Sequence, residues 1–359
     1  MSQTADIPEQ LIIERNALKK WKRTDVYNWV TEQTVVIISG AGKTCRVADR
    51  LAHDIQPDAG RVHVLKCRDN TLDTINALER QVLESSANIV IGVGGGKALD
   101  VAKVVGTRSN VPVVLVPTSV SNDAICSPVA VIRMNKKASL GVKMPQAVII
   151  DLEVIASSPE RLTIAGIGDL LSNKTAIFDW DLACRAQQDT MNTFARLMAN
   201  HAVEAFMNTV GNRSFDKTTL VKVLAESLVM SGIAMSVAGS SRPCSGSEHL
   251  ISHALDYYCG GKALHGEQVA LGILVAEYLQ DEHRSSGNVR QYYEQLGLPT
   301  HFGDLGYTRE EMALAIRMAP AMRDRYTVLN EFSFNDRQID QLLDDVFPSR
   351  TGKRVISFA

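Results

Sequence analysis

The 359-residue chain contains no CxxC pair; its six cysteines, Cys45, Cys67, Cys126, Cys184, Cys244 and Cys259, are scattered along it. That spacing argues against a disulfide framework and a cysteine zinc site, and points to a reducing cytoplasm. There is no run of eighteen or more uncharged apolar residues, so no membrane insertion is expected. The opening residues, MSQTADIPEQ, are polar and acidic, without the apolar stretch of a secretory signal. An excess of charge is missing too. The chain has 38 Lys and Arg against 40 Asp and Glu, a net −2, which provides no general attraction to nucleic acid or to an anionic membrane. No internal repeat or low-complexity tract stands out. What remains is a chain 45% hydrophobic and 22% charged, the composition of a folded globular protein, long enough for two or three domains and best suited to an enzyme.

Two halves differ in pattern. Up to about residue 155, short Val- and Ile-rich runs recur at Val35–Ile38, Val62–Leu65, Ile89–Val93, Val113–Val116 and Val148–Ile150. Continuous apolar runs of this length suit strands buried on both faces of a parallel sheet. Between them, Thr71–Leu83 and Ala98–Thr107 suit crossover helices, so residues 1–155 read as a doubly wound, Rossmann-like α/β domain. Val129–Lys143 breaks the rhythm and reads as an irregular hairpin before the last strand. Ser157-Ser158-Pro159-Glu160 is a helix start. From there onward the periodicity is helical, giving a second, all-α domain over residues 156–359.

Two glycine turns follow predicted strands. Gly40-Ala41-Gly42-Lys43-Thr44 fits neither phosphate-binding fingerprint, since Ile37 and Cys45 occupy positions that those motifs give to glycine. It suits a tight strand-to-helix turn and a peripheral cofactor contact equally. Gly94-Gly95-Gly96 opens directly into a helix, with Lys97 and Asp100 in its first turn. Without Cβ atoms the backbone can approach a pyrophosphate, and the free N–H groups and dipole of the helix start favour an anion. The loop therefore indicates a nucleotide or a phosphate without saying which. Thr118-Ser119-Val120-Ser121-Asn122-Asp123, running on to Ser127, is rich in donors and acceptors at the carboxyl edge of the predicted sheet, where ligands of open α/β folds bind. An ordinary polar loop has the same composition.

Three of the eight histidines, His249, His253 and His265, fall within seventeen residues. Ser245 with Glu248 fits a capping box, which starts a helix near residue 246. His249 and His253 then lie one turn apart on one face. Gly260-Gly261 ends that helix, and His265 opens an apolar one. Such histidines could pack as polar residues at helix ends, or converge on a metal ion. Imidazole and carboxylate ligands suit zinc and similar divalent ions, and Asp169, in the stretch GIGDLLSN, is the best carboxylate partner.

The stretches GVGGGKALDVAK, PTSVSNDAICSP, GIGDLLSNKTAIFDW, GSSRPCSGSEHLISHALD, HGEQVALGI and RDRYTVL together resemble the sn-glycerol-1-phosphate dehydrogenase family. That family lies within the superfamily of metal-dependent alcohol dehydrogenases, glycerol dehydrogenase and dehydroquinate synthase. The resemblance runs from about residue 35 to 330. It implies a dehydroquinate synthase-like fold. It also implies reversible hydride transfer between NAD or NADP and a small phosphorylated ketone, dihydroxyacetone phosphate giving sn-glycerol 1-phosphate, and with it a place in phospholipid metabolism. The resemblance puts the cofactor on Gly94, Gly95, Gly96, Lys97, Asp100, Thr118, Ser121 and Ser127. One divalent metal, with zinc ahead of nickel or iron, falls to Asp169, His249 and His265, and the catalytic roles to His253 and Asp123. His253 is then a proton carrier whose ordinary pKa near 6.5 suits the task. A homo-oligomer, dimeric or larger, is expected.

Arg242, Ser240, Ser241 and Arg325 are candidates for the substrate phosphate. After Val62–Leu65, Asp69 could bond a ribose 2′-hydroxyl while Lys66 or Arg68 could take a 2′-phosphate, so both cofactors are expected to be accepted. Two other enzyme readings stay open. Lys97, as in glycerol dehydrogenases, allows an alcohol or polyol dehydrogenase acting on an unphosphorylated substrate. A sugar-phosphate cyclase like dehydroquinate synthase ranks below it, because the NxGHxxGH signature is missing. A nucleotide-binding regulatory protein without catalysis is the reading outside enzymes.

Overall fold

The computed structural model describes residues 5–134, 137–211, 216–281 and 287–348. The chain packs as two compact units. One comprises residues 1–163 with 204–241, the other 164–203 with 242–359. The sequence places its boundary at 155/156. In the structure the first division falls after Thr163, and a later segment returns to the first unit.

Among the described residues, the first unit holds eight strands. They are β1 (Gln10–Glu14), β2 (Thr34–Ser39), β3 (Arg61–Lys66), β4 (Ile89–Gly94), β5 (Val113–Pro117), β6 (Val129–Arg133), β7 (Lys137–Gly141) and β8 (Ala147–Asp151). Its helices are α1 (Asp25–Val30), α2 (Lys43–Ile55), α3 (Leu72–Glu84), α4 (Gly96–Ser109) and α5 (Leu152–Ala156). Six strands form a parallel sheet in the order β1-β8-β5-β4-β2-β3. Leaving out the edge strand β1, the sheet is doubly wound in the flavodoxin-like order, whose direction reverses between β2 and β4. Strands β4, β5 and β8 are buried at every position, as their unbroken apolar runs require, whereas the edge strands β1 and β3 are half exposed. Val26, Val30, Ala48, Leu51 and Ile55 of α1 and α2 pack with Val35, Ile37, Ile89 and Ile91 in one core. The intervening Val36, Ile38 and Val90 are equally buried, so both faces of the sheet are covered.

The expected hairpin is a regular antiparallel pair, β6 with β7; its turn at residues 135–136 lies outside the described residues. The edge strand β1 has no counterpart in the sequence reading. Two long helices, α6 (Glu160–Arg185) and α7 (Thr193–Gly211), each run from one unit into the other. The segment that returns to the first unit carries α8 (Lys217–Ala238). By length and composition α8 is apolar enough to cross a membrane, yet 56% of its most apolar window is buried inside the fold. Its Gly232 lies against the Cys126 carbonyl, where a Cβ would collide.

The second unit is helical, as expected. After α6 and α7 it contains α9 (Ser247–Tyr258), α10 (His265–Gln280), α11 (Gly287–Leu296), α12 (Arg309–Met318) and α13 (Asp336–Val346). Helix α10 is buried almost all round, from Gly266 through Ala276, which is why its sequence shows no polar face. Helix α9 packs against α10 and α12. The start of α9 differs from the expected capping box. Gly246 is the N-cap and has no side-chain bond, while Glu248 reaches back to accept the Gly246 N–H at 2.5 Å.

Candidate metal centre and nucleotide loop

In the first unit, the two glycine turns lie side by side at the reversal point of the sheet. The Gly40 N–H donates to the Val93 carbonyl at 3.1 Å, and the Thr118 N–H donates to the Gly94 carbonyl at 2.9 Å. Three loops, after β2, β4 and β5, thus share the carboxyl edge where such sheets bind ligands. Gly95 caps α4 without any side-chain bond, leaving that helix start to attract an anion. A Cβ at Gly94 would strike Ala98, and one at Gly96 would press on the end of the Asn122 side chain, so packing already requires glycine at Gly94. The Asn122 Oδ1 is buried there without a hydrogen-bond partner, an acceptor facing the loop that a donor on a bound group would satisfy. Lys97 is exposed at the rim, and Thr118, Ser121 and Asp123 are half buried. These features fit a nucleotide.

Two expected cofactor residues are buried beside the loop. Asp100 and Ser127 are buried at 5% and 1% exposure and gather round Lys103, which is fully buried. The Lys103 Nζ pairs with Asp100 Oδ1 at 3.0 Å and donates to the Val129 carbonyl at 2.6 Å and to Ser127 Oγ at 3.2 Å. The other Asp100 oxygen accepts the Val131 N–H at 3.0 Å. Together they tie α4 to the start of β6, supporting the loop from behind. Asp69 is likewise engaged locally. Its Oδ1 accepts from the Thr71 N–H and from the hydroxyls of Thr71 and Thr74, bonds that hold its carboxyl down at about 2.

In the second unit, Asp169, His249 and His265 converge, each offering one ligand atom within 4.8 Å of the others. Both imidazole Nε2 atoms lie 3.5 Å from Asp169 Oδ1. That is longer than a good hydrogen bond. It matches the edge of about 3.4 Å that a tetrahedral ion with ligands at about 2.1 Å would span. The Nδ1 atoms turn the other way, His249 to Glu248 Oε1 at 2.8 Å and His265 to Ser252 Oγ at 3.2 Å. Each ring is therefore held with Nε2 toward the centre, as ligand histidines are. Burial opposes a charged His249, but the carboxylates of Asp169 and Glu248 outweigh it and push its pKa up to about 9. The side chains thus favour a positive charge at their centre, and the donor set fits a divalent ion.

Backbone contacts set this geometry. Asp169 is in mid-helix on α6 and His265 is the first residue of α10. A Cβ on Gly168 would run into the Gly266 carbonyl, and one on Gly266 into the Ala165 carbonyl. The two helices cross so closely that only glycine fits, and each glycine adjoins a ligand.

His253 stands one turn beyond His249, its ring 6.3 Å from that of His249 and 6.2 Å from that of His265. It is outside the triad. Burial lowers its pKa well below the ordinary value, and the charges of Arg323, His265, His249 and Arg325 add to that effect. His253 is therefore neutral at neutral pH, a departure from the ordinary pKa expected of it. Arg325 donates to the Ser245 carbonyl. Burial, then Arg242 and Arg323, lower its pKa to about 10, so three arginines crowd this side of the centre. Arg242 is clamped, donating to Asp189 Oδ2 at 2.6 Å and to the Tyr326 carbonyl at 2.7 Å. Arg323, Glu248 and Ser252 had no assigned ligand-site role in the sequence reading. The adjacency of Glu248 to His249 and the RDRYTVL stretch were the available signals.

Residues 12–159 match the iron-containing alcohol dehydrogenase family. Over 298 residues the chain is 37% identical to a glycerol-1-phosphate dehydrogenase (NAD(P)+) of Methanosarcina mazei, covering 82% of this chain and 83% of the relative. Over 344 residues it is 31% identical to an enzyme of the same name from Nitrosopumilus maritimus, covering 95% and 96%. Among solved structures, glycerol dehydrogenase from Schizosaccharomyces pombe superposes with a TM-score of 0.74 at 22% identity, covering 96% of this chain and 90% of that one. A probable glycerol dehydrogenase from Sinorhizobium meliloti gives 0.73 at 20%, covering 96% and 97%. The structural likenesses show the fold.

Proposed function

The chain belongs to the glycerol-1-phosphate dehydrogenase family, within the iron-containing alcohol dehydrogenases, and on that footing we propose that it interconverts dihydroxyacetone phosphate and sn-glycerol 1-phosphate with NAD or NADP. The observation that carries the proposal is the pair of 3.5 Å approaches of His249 and His265 to Asp169, with both rings anchored from behind.

Asp169, His249 and His265 would hold the divalent ion, and the α4 start with Gly95 and Gly96 would receive the pyrophosphate. When bound, the ion supplies Lewis-acid polarisation and the dinucleotide supplies or takes the hydride. The protein contributes alignment and proton handling. Neutral His253 would accept the hydroxyl proton in the oxidative direction and pass it to solvent, and would relay a solvent proton in the reductive one. Arg323 and Arg325 supply positive charge for the phosphoryl group, and Arg242 holds the Tyr326 backbone beside them. The cytoplasm suits this reading, since all six cysteines are free thiols.

The test is NADH and NADPH oxidation with dihydroxyacetone phosphate and, separately, dihydroxyacetone. The phosphorylated ketone should have the higher kcat/KM by orders of magnitude, because remote binding energy aligns the reacting carbon. The product should resist an enzyme specific for sn-glycerol 3-phosphate. Preference for the unphosphorylated ketone would reject the reading.

A further inference from the structure

We propose that Glu248 is a positioning residue of the metal centre: its buried carboxylate takes the Nδ1–H of His249, fixes that ring's tautomer and heading, and strengthens Nε2 as a donor. The inference rests on Asp169, His249 and His265 being the ligands of a divalent ion.

Glu248 is 0% exposed. A buried carboxylate is costly unless its oxygens are well satisfied. Three groups bond it, while Asp179 and Arg325 act on it through space. Oε1 receives the Gly246 N–H at 2.5 Å and faces His249 Nδ1 at 2.8 Å, and Oε2 receives the Thr175 hydroxyl at 2.8 Å. A backbone amide and a threonine hydroxyl could equally be met by the neutral amide of a glutamine. The partner that gains from a full negative charge is the imidazole, because a carboxylate behind a ligand histidine raises its basicity.

Thr175 and Asp169 both lie on α6. Between them, Ser172 bonds the Cys244 carbonyl at 2.9 Å, and farther along Asp179 Oδ2 accepts the Ser247 N–H at 2.6 Å. Helix α6 thus carries one ligand and also grips the carboxylate that steers another. The two histidines are unequal in this respect. Against His265 Nδ1 lies the neutral hydroxyl of Ser252, at 3.2 Å.

The experiment uses the full chain, stripped with a chelator and titrated with zinc against a chromophoric chelator, with cobalt(II) as a spectroscopic substitute. Glu248→Gln should bind zinc about ten- to a hundredfold more weakly and shift the cobalt visible bands, whereas Ser252→Ala and Thr175→Val should each change the affinity by about threefold or less. Wild-type affinity and an unchanged cobalt spectrum in Glu248→Gln would overturn the proposal while leaving the ligand reading intact. A wild-type chain that binds no zinc would overturn both. If Glu248→Gln does not fold, nitrogen-detected NMR of the zinc-loaded wild type decides. A His249 ring protonated at Nδ1, with that proton strongly downfield, is expected, and a His249 ring bare at Nδ1 would contradict it.

Discussion

Gly168 of α6 and Gly266 of α10 meet backbone to backbone where their helices cross, each next in sequence to a member of the Asp169–His249–His265 triad. The crossing, more than any side-chain contact, sets how far Asp169 stands from His265. Substituting Gly168→Ala places a methyl group against a carbonyl that belongs to a packed helix and cannot swing away. Overpacking of this kind costs about 1–3 kcal/mol. Gly168→Ala should lower the thermal midpoint by several degrees and weaken zinc binding by more than the stability loss explains, checked by calorimetry and chelator competition on the same samples. Gly266→Ala should behave alike.

Lys103 underlies the nucleotide loop. Replacing it by methionine keeps the volume but leaves Asp100 buried without its ion-pair partner and the Val129 carbonyl without its donor. Removing one partner of a buried pair costs about 3–5 kcal/mol. Lys103→Met should therefore show a urea midpoint far below wild type and weaker NADH binding by fluorescence. Adding Asp100→Asn should recover part of the stability, since the two losses share one interaction.

How much of this was legible in the residues depended on what each pattern reports. Strands β2, β4, β5 and β8 were readable because burial on both faces leaves an unbroken apolar run. The edge strand β1, QLIIE, is half exposed and short, so it had no such signature. Helical periodicity shows that 217–238 is a helix, but not which unit it packs against, and α8 belongs with the α/β unit. Histidine spacing offered a candidate cluster, and the family resemblance picked Asp169, His249 and His265 out of it. That spacing alone could not say which of His249 and His253 would face Asp169, since both lie on one side of α9. Asp100 and Ser127 were named as cofactor residues, and their packing round Lys103 shows only once α4 is set against β6. Glu248 looked like a cap and does reach back to Gly246, but that the same oxygen also faces His249 Nδ1 shows only once α9 is built.

Asp179 makes stability depend on pH. Burial, then repulsion from Glu248, raises its carboxyl from 3.8 to about 6. The folded chain therefore holds this proton more tightly than the unfolded chain. Stability contributed by protonated Asp179 is complete below about pH 4 and is lost as the pH rises to about 6. The difference in unfolding free energy between wild type and Asp179→Asn should move against the wild type across that window and be flat above about pH 7. Urea denaturation of both proteins, metal-free, over a pH series reads this directly. A difference that is constant from pH 4 to 7 would contradict it.

The most direct test of the account is anomalous diffraction at the zinc edge from crystals of the zinc-loaded chain. One strong peak should lie within bonding distance of Asp169 Oδ1, His249 Nε2 and His265 Nε2, with His253 outside its reach. A peak on other side chains, or none at this triad in fully loaded crystals, would contradict the metal centre and the hydride chemistry assigned to it.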